Sequence, residues 1–521
     1  MAEDTVLFES PTMNAAVLAM QDVIQQNHDI RGGKKTIHLN KSLYFSKLDT
    51  QNDDQFNKMV EMAPVYVLYP KVVDGFVGTI FAKEPTITGI EFNDKQKELN
   101  KNVDLLGNDT TKFSESIVSE VIENGFCASM NDYSDNLSRP FLRLIKPSQF
   151  ISFRTNSDDG YPKISQFIFK EEIETPDPLD EFQSMIANQY TVLDFSSNPD
   201  NENLNNYRVR IFQGVPAKTQ MNPSKSEKMY LKSTSFPKMD GKFFDRMPLT
   251  IHGIESNNYT IKKSLLQDIS DMNISVMQRV VDQVYMLHWT ALPTPYIIGS
   301  DEKDSPDTIG PSKVWYIENP DAKVGMLEFT GNSARAHQDY IDNLLYIMAA
   351  TGAQILKKEG VSRETATSVL VRTASQTSLV STMVKNVSGQ IQSALEVHWK
   401  WSGVTIAKDY EYKLNDDFIK VDMEPNAQIA LVKSWLDGAI SHETVFHKMK
   451  EGEIVPPGRT FEEEKALISK DKPPFFEKEI DAKNAESLAE KAESSSTSED
   501  DMSGSNLENG NIENPQATEQ V

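Results

Sequence analysis

Two long amphipathic stretches, separated by a short turn-rich insert and followed by a third, constrain this chain more than any other feature. Leu265, Ile269, Met272, Val276, Val280, Val284 and Leu287 recur in steps of three or four, the period that gathers side chains on one helix face. Ser264 with Gln267 three places on is a capping-box pattern for the start, and Pro293 and Pro295 cannot continue the ladder. The predicted helix, 264–292, is roughly 42 Å long. Residues 296–330 carry strand-like pieces, Val314 to Ile317 and Val324 to Phe329, among many turn residues. A second helix is expected over 333–358, with Tyr340, Leu344, Ile347 and Ile355 along one side.

After Glu359-Gly360-Val361-Ser362-Arg363 a third helix is expected over 364–401. Its positions 366, 370, 373, 377, 380, 384, 387, 391 and 394 hold Ala, Leu, Thr, Thr, Val, Val, Val, Ile and Ala. That is a nearly strict seven-residue repeat, suited to packing along a neighbouring helix. Two readings stay open: a core helix whose small residues allow close approach, or a helix running along adjacent copies of the chain.

The remainder divides by period. Residues 1–130 read mainly as helices: Asn14 to Gln26, Asp53 to Val60, Val65 to Phe81 and Thr111 to Asn124. Residues 140–255 read as an antiparallel sheet. Phe150 to Arg154 and Ile164 to Phe169 flank Asn156-Ser-Asp-Asp-Gly160, and Tyr207, Val209 and Ile211 alternate with Arg208 and Arg210. Met229 to Lys232 and Leu249 to Ile254 are further expected strands, with 174–188 and 198–206 as polar loops or weak helices. Beyond Trp401 a strand pair (Tyr410 to Leu414, Phe418 to Met423) and helices over Ala427 to Leu436 and His442 to Lys450 are expected. Glu477 to Val521 holds 12 acidic and 3 basic side chains and too little apolar surface for a core, so disorder is expected there. The fold class expected is α+β.

Composition narrows the function. A single cysteine, Cys127, rules out an intrachain disulfide framework and a multi-cysteine metal site, and fits a reducing compartment. The acidic start lacks the features of a signal peptide, and the longest near-apolar run, Leu344 to Ala353, is about half of what a bilayer demands, so no membrane role is expected. A net charge of −24 argues against a surface that wraps nucleic acid, since phosphate binding needs clustered cations. It is compatible with a wall past which DNA slides.

Catalytic motifs fail. Gly33-Lys34 is followed by Lys35, and the earlier glycine position of a phosphate-binding loop holds His28. His442 and His447 stand five apart, about 140° around a helix, so one face cannot offer both to one metal. No Gly-x-Ser-x-Gly elbow occurs, and the acid pairs Asp53-Asp54, Asp158-Asp159 and Asp416-Asp417 sit in polar loop contexts. No enzyme activity, cofactor or metal is expected.

The order of elements resembles the portal proteins of tailed bacteriophages, in particular a portal family long catalogued as a conserved phage domain of unknown function. The residues that carry the resemblance are Ile269-Ser-Asp-Met-Asn-Ile, His288-Trp-Thr-Ala-Leu-Pro-Thr-Pro, Ile309-Gly-Pro-Ser, Glu328-Phe-Thr-Gly, Glu364-Thr-Ala-Thr and Asp437-Gly-Ala-Ile-Ser. Val73-Asp-Gly-Phe-Val-Gly-Thr-Ile-Phe with Lys83-Glu84-Pro85 matches the family's N-terminal part, and the likeness spans about residues 60–460. It implies a wing over 1–263, antiparallel stem helices at 264–292 and 333–357, and a small α/β clip at 293–332. A tunnel loop at 358–364, a long wing helix with a β pair at 364–424 and a helical crown side at 425–476 complete the portal fold, with the acidic tail at 477–521.

The resemblance further implies a ring, normally of twelve copies, at one capsid vertex of the virion, assembled in the host bacterial cytoplasm. Its partners would be the terminase large subunit, head-tail adaptor and tail proteins, the major capsid and scaffolding proteins, and double-stranded DNA in the channel. Lys357, Lys358, Glu359, Gly360 and Arg363 would form the DNA-facing loop, although cations at helix ends are also ordinary solvated charge. Pro293, Pro295, Pro311 and Trp315 would face the adaptor. Two rivals remain: another head-tail structural or adaptor protein, and a DNA-processing nuclease of the packaging apparatus.

Overall fold

A helical start, an antiparallel run and a second helical run follow one another along the chain. The computed structural model describes residues 7–49, 51–157, 162–177, 180–198, 201–214, 227–256, 260–290, 294–299, 316–317, 319–327, 332–356, 366–416, 425–451, 454–456 and 459–470. The first run holds β1 (Leu7–Glu9), α1 (Ala15–Leu18), α2 (Gln21–Gly32), α3 (Lys34–Leu39), α4 (Lys41–Tyr44), α5 (Asp53–Met62) and α6 (Tyr69–Ile80). It ends with β2 (Thr86–Ile90), α7 (Asp94–Asn100) and α8 (Thr110–Asn124).

The antiparallel run is β3 (Phe126–Ser134), β4 (Arg139–Ile145), β5 (Phe150–Asn156), β6 (Lys163–Asp177), β7 (Asp180–Asn198) and β8 (Asn201–Gly214). It continues through β9 (Lys228–Ser235), β10 (Lys238–Met239), β11 (Lys242–Phe243) and β12 (Leu249–Gly253). Then come α9 (Gln267–Thr290), β13 (Thr294–Ile298), β14 (Lys323–Leu327), α10 (Asn332–Leu356), α11 (Ala366–Trp401) and β15 (Ile406–Lys413). Residues 420–521 form a separate unit with α12 (Pro425–Leu436), α13 (His442–Glu451) and α14 (Phe461–Lys470). The fold class is α+β.

Within residues 1–419 the main sheet runs β1-β9-β8-β7-β6-β5 and a smaller one β12-β3-β4, all pairs antiparallel. The larger core joins α5, α6, α8, α9 and α11 through residues such as Phe56, Val73, Phe76, Ile117, Val276, Val384 and Ile391. The second lies between the two sheets, where Phe126, Phe150, Phe167 and Phe169 form a chain of ring contacts at 5.0–6.1 Å. Gly125 turns the chain from α8 into β3 at φ 91°, and a side chain there would meet the Lys262 carbonyl at 2.0 Å. Only glycine meets both demands.

Over residues 380–401 the seven-residue seam of α11 is buried inside this chain, through Val380, Val384, Val387, Ile391 and Ala394. The polar residues beside it hold strand backbones. Gln390 Oε1 accepts from Gly253 N–H (2.9 Å), and Ser388 Oγ donates to the Tyr412 carbonyl (2.9 Å) and accepts from Leu414 N–H (3.1 Å).

Several expectations are corrected. The described residues of 174–188 and 198–206 belong to β6, β7 and β8, not to loops or weak helices. Their polar residues extend two-stranded ladders beyond the core, where backbone pairing rather than apolar alternation holds the strands. The helical N-terminal region contains β2 and most of β3. β15, which includes Tyr410 to Lys413, pairs with β2, and Phe418 to Met423 lies outside the described residues. The start of α9 is not a capping box: Gln267 is the first helical residue, and Ser264 Oγ accepts from Leu266 N–H (2.9 Å) while donating to the Ile122 carbonyl. The expected helix over 65–81 starts at Tyr69, where Pro70 suits the first turn, and that over 14–26 divides into α1 and α2. Of the expected α/β clip at 293–332 the described residues hold a β ribbon, β13 with β14, and the rest lies outside them. The acidic tail lies outside the described residues.

Candidate functional site

The helical hairpin α9–α10 is built from its root outward. The buried face of α9 carries Ile269, Ile274, Val276, Met277, Val280 and Val281, with Leu266 just before the helix, and also three polar side chains, Gln267, Ser270 and Asn273. Burying an amide or hydroxyl costs a few kcal/mol unless it is paired, and each of these is paired. Asn273 Oδ1 accepts from Leu68 N–H (3.0 Å) and Tyr69 N–H (3.1 Å), and its Nδ2 donates to the Tyr66 carbonyl (2.8 Å). Since Leu68 has no side-chain cap of its own, an amide from α9 caps the start of α6.

Ser270 Oγ donates to Asn27 Oδ1 (2.6 Å), and Asn27 Nδ2 donates to the Glu123 carbonyl (2.8 Å). Gln278 Nε2 reaches the Tyr44 carbonyl (2.8 Å). The Glu123 carboxylate receives Arg31 Nε at 2.7 Å, and Arg31 also pairs with Asp74 at 3.1 Å. Burial pushes the Glu123 carboxyl up, and the Arg31 guanidinium only partly offsets that. The first half of α9 is therefore bound into α2, α4, α6 and α8.

The second half of α9 leaves this body. None of residues 282–288 is buried, and neither is any of 334–340 in α10, whereas Ile341, Met348 and Gly352 are. Near the end of α10 the Gly352 backbone lies so close to α6 that a side chain there would meet Val72 Cγ2 at 2.9 Å. The other ends of the two helices lead into the strands of one ladder, β13 and β14, with Thr294 opposite Leu327 and Ile298 opposite Lys323. Hence α9 and α10 run antiparallel, both rooted on α6. Across the projecting part Gln283 Nε2 donates to Gln338 Oε1 (2.6 Å), whose own amide donates to Asp342 (2.8 Å). Tyr340, Tyr346 and Ile347 of α10, and Tyr296, Ile298, Val324 and Met326 of the ribbon, stand exposed. Gly325 leaves room for the Tyr296 ring, which a side chain there would strike at 2.5 Å.

Of the residues singled out in sequence, Pro295 is on β13 opposite Met326, half-buried. Lys357, Lys358, Glu359, Gly360, Arg363, Pro293, Pro311 and Trp315 lie outside the described residues. His442 stacks on Trp435 (ring centroids 5.0 Å) and contacts Phe461, an aromatic role, while His447 sits 4.0 Å from Glu443. No group of three or more His, Cys, Asp or Glu among the described residues could hold a metal ion. No helix among them is long and apolar enough to cross a membrane.

The anchoring set of Asn27, Ser270, Asn273 and Gln278 was not singled out in sequence. Its signal is there: Ser270 and Asn273 fall at helical spacing between Leu266 and Met277, inside the apolar stripe. Both belong to the Ile269-to-Ile274 motif that carried part of the resemblance.

Residues 265–402 match a family model described as "Domain of unknown function (DUF4055)". They run from α9 to the end of α11. No curated protein matches the chain. Among solved structures, a chain from the neck of an empty GTA particle, computed with C6 symmetry, is 10% identical. The alignment covers 72% of this chain and 87% of that one, at a TM-score of 0.34, too low to establish a shared fold.

Proposed function

We propose that this chain is the portal subunit of a tailed bacteriophage, a ring of copies at one capsid vertex through which double-stranded DNA enters and leaves. The observation that carries the reading is the α9–α10 hairpin. It is anchored by buried polar bonds at its root, projects from the body, ends in a two-stranded ribbon and leads on to α11. In one copy the outer faces of the hairpin and its ribbon leave Tyr340, Tyr346, Ile347, Ile298, Val324 and Met326 in water. Covering such surface is worth about 25 cal/mol per Å², so side-by-side stacking of hairpins from neighbouring copies is favoured. Hairpins stacked around an axis enclose a channel.

In this reading the hairpin is the stem, the β13–β14 ribbon belongs to the clip, and residues 358–364 face the channel. The net charge of −24 would keep the wall from holding phosphates, with Lys357, Lys358 and Arg363 giving brief contacts. The clip, with Pro293, Pro295, Pro311 and Trp315, would meet the terminase and later the adaptor and tail proteins, and the body the capsid and scaffolding proteins. The ring would carry no catalysis of its own. Negative-stain imaging of the purified protein tests this: discrete rings with a central hole are expected, normally of twelve copies. A chain that stays monomeric at micromolar concentration, with or without scaffolding protein, refutes it.

A further inference from the structure

Charge is segregated on the main sheet. Residues 171–177 of β6 and 180–188 of β7, the outer parts of the two strands, hold six acidic residues and no lysine or arginine. β7 pairs with β8 only from Gln189 onward, so this stretch is a two-stranded ribbon extending past the sheet. At its base Glu171 is held by Arg143. Farther out, Glu172 and Glu174 are exposed and form no ion pair among the described residues. Ile186, opposite Glu174 in the register, is 70% exposed.

The opposite sign lies on β9 of the same sheet and on the separate β10–β11 hairpin that follows it in the chain. Residues 228–242 hold Lys228, Lys232, Lys238 and Lys242 against one acid, Asp240. None of the four lysines forms an ion pair among the described residues, and Lys238 lies 4.3 Å over the Phe243 ring. Leu231 among them is also exposed. β9 starts beside the ribbon's root, with Met229 opposite Gly214, and runs back along the sheet to Ser235 opposite Val209. The ribbon runs the other way, so its outer part points away from Lys232 of its own chain.

The geometry points to a second copy as the occupant: the acidic ribbon of one chain docks on the β9–β11 lysine face of the next, with Ile186 meeting Leu231. Two different patches on one chain that fit each other make a head-to-tail contact, the kind that closes into rings. Like charges oppose the other pairings, ribbon on ribbon and face on face. This inference rests on the ring proposed above and assigns it a second seam, separate from the α9–α10 hairpin.

A charge-swap series on the full chain tests it, read by sedimentation velocity. Glu172→Lys with Glu174→Lys, or Lys232→Glu with Lys238→Glu, should each raise the concentration for half-assembly about tenfold at 0.15 M salt. All four together should bring it back toward the wild-type value, because the signs match again. Circular dichroism checks folding, and the milder pair Glu172→Gln with Glu174→Gln should give a smaller rise in the same direction. Reversals that leave assembly unchanged, or a four-site variant no better than either pair, overturn this contact and leave the ring standing. A wild-type chain that never assembles overturns both.

Discussion

Replacing Asn273 by leucine removes three bonds at once while roughly keeping the side chain's volume. Tyr69 N–H loses its acceptor in a place without water, since Tyr69 and Asn273 are fully buried. A stranded buried donor costs about 1–3 kcal/mol. Loss of a helix cap costs about 1 kcal/mol, and here the cap is that of α6. Leu68 is half-buried and Tyr66 exposed, so their freed groups partly recover hydrogen bonds to water. The expected loss is about 2–4 kcal/mol, read by urea denaturation as a lower midpoint with an unchanged slope. Asn273→Asp keeps the acceptor, puts an anion at a helix start, and should lose less. Ser275→Ala serves as control, because its hydroxyl bonds only the carbonyl of Asp271 in its own helix (3.1 Å). It should change stability by no more than about 0.5 kcal/mol. A loss below about 1 kcal/mol for Asn273→Leu would refute the claim that this amide ties α9 to α6.

Four further outcomes are expected. His252 is fully buried with Nε2 2.7 Å from Ser129 Oγ, and burial lowers its pKa from 6.5 to about 3. The unfolded chain therefore takes up a proton that the native one refuses. Stability should fall as pH drops from 6.5 toward 3, by about 1.4 kcal/mol per unit. His252→Asn should show a shallower fall, and an equal slope would contradict this account. Gly125→Ala should cost more than about 2 kcal/mol, since a methyl cannot fit 2.0 Å from a carbonyl; a thermal midpoint within a degree of wild type would refute it. Alanine at Lys357, Lys358 and Arg363 together should leave rings intact but impair packaging or DNA retention, and unchanged packaging would remove these residues from the site. Serine at Tyr340, Tyr346 and Ile347 should leave the monomer's stability within about 1 kcal/mol, because these side chains are exposed, yet weaken ring assembly at least tenfold.

The three long helices were legible because apolar periodicity over many turns is hard to mistake. Expected at 264–292, 333–358 and 364–401, they occur at Gln267–Thr290, Asn332–Leu356 and Ala366–Trp401. The outer strands were not legible. Glu171-Glu-Ile-Glu-Thr-Pro176 has almost no apolar alternation, yet its burial still alternates between half-buried and exposed, because ladder bonds fix the pleat whatever the side chains are. β2 was missed for a related reason: its partner β15 lies more than 300 residues on, and no local signal reports such a pairing. The anchoring amide Asn273 was in view but was read as part of a motif. A polar residue in an apolar stripe declares burial only once its partners, here the backbone of Tyr66 to Tyr69, are known.

Two tryptophans at the end of α11 belong to different cores. Trp399 packs against Phe92 and Tyr410 and donates to Asn100 Oδ1 (3.2 Å), while Trp401 packs against Phe244 and Tyr133. A rod of 36 residues, about 54 Å, is thus clamped at one end by two independent vices. It cannot slide along its axis or spin about it without tearing one of them. A pull on the helix must therefore break both grips together, as a plank bolted through two beams comes free of neither alone.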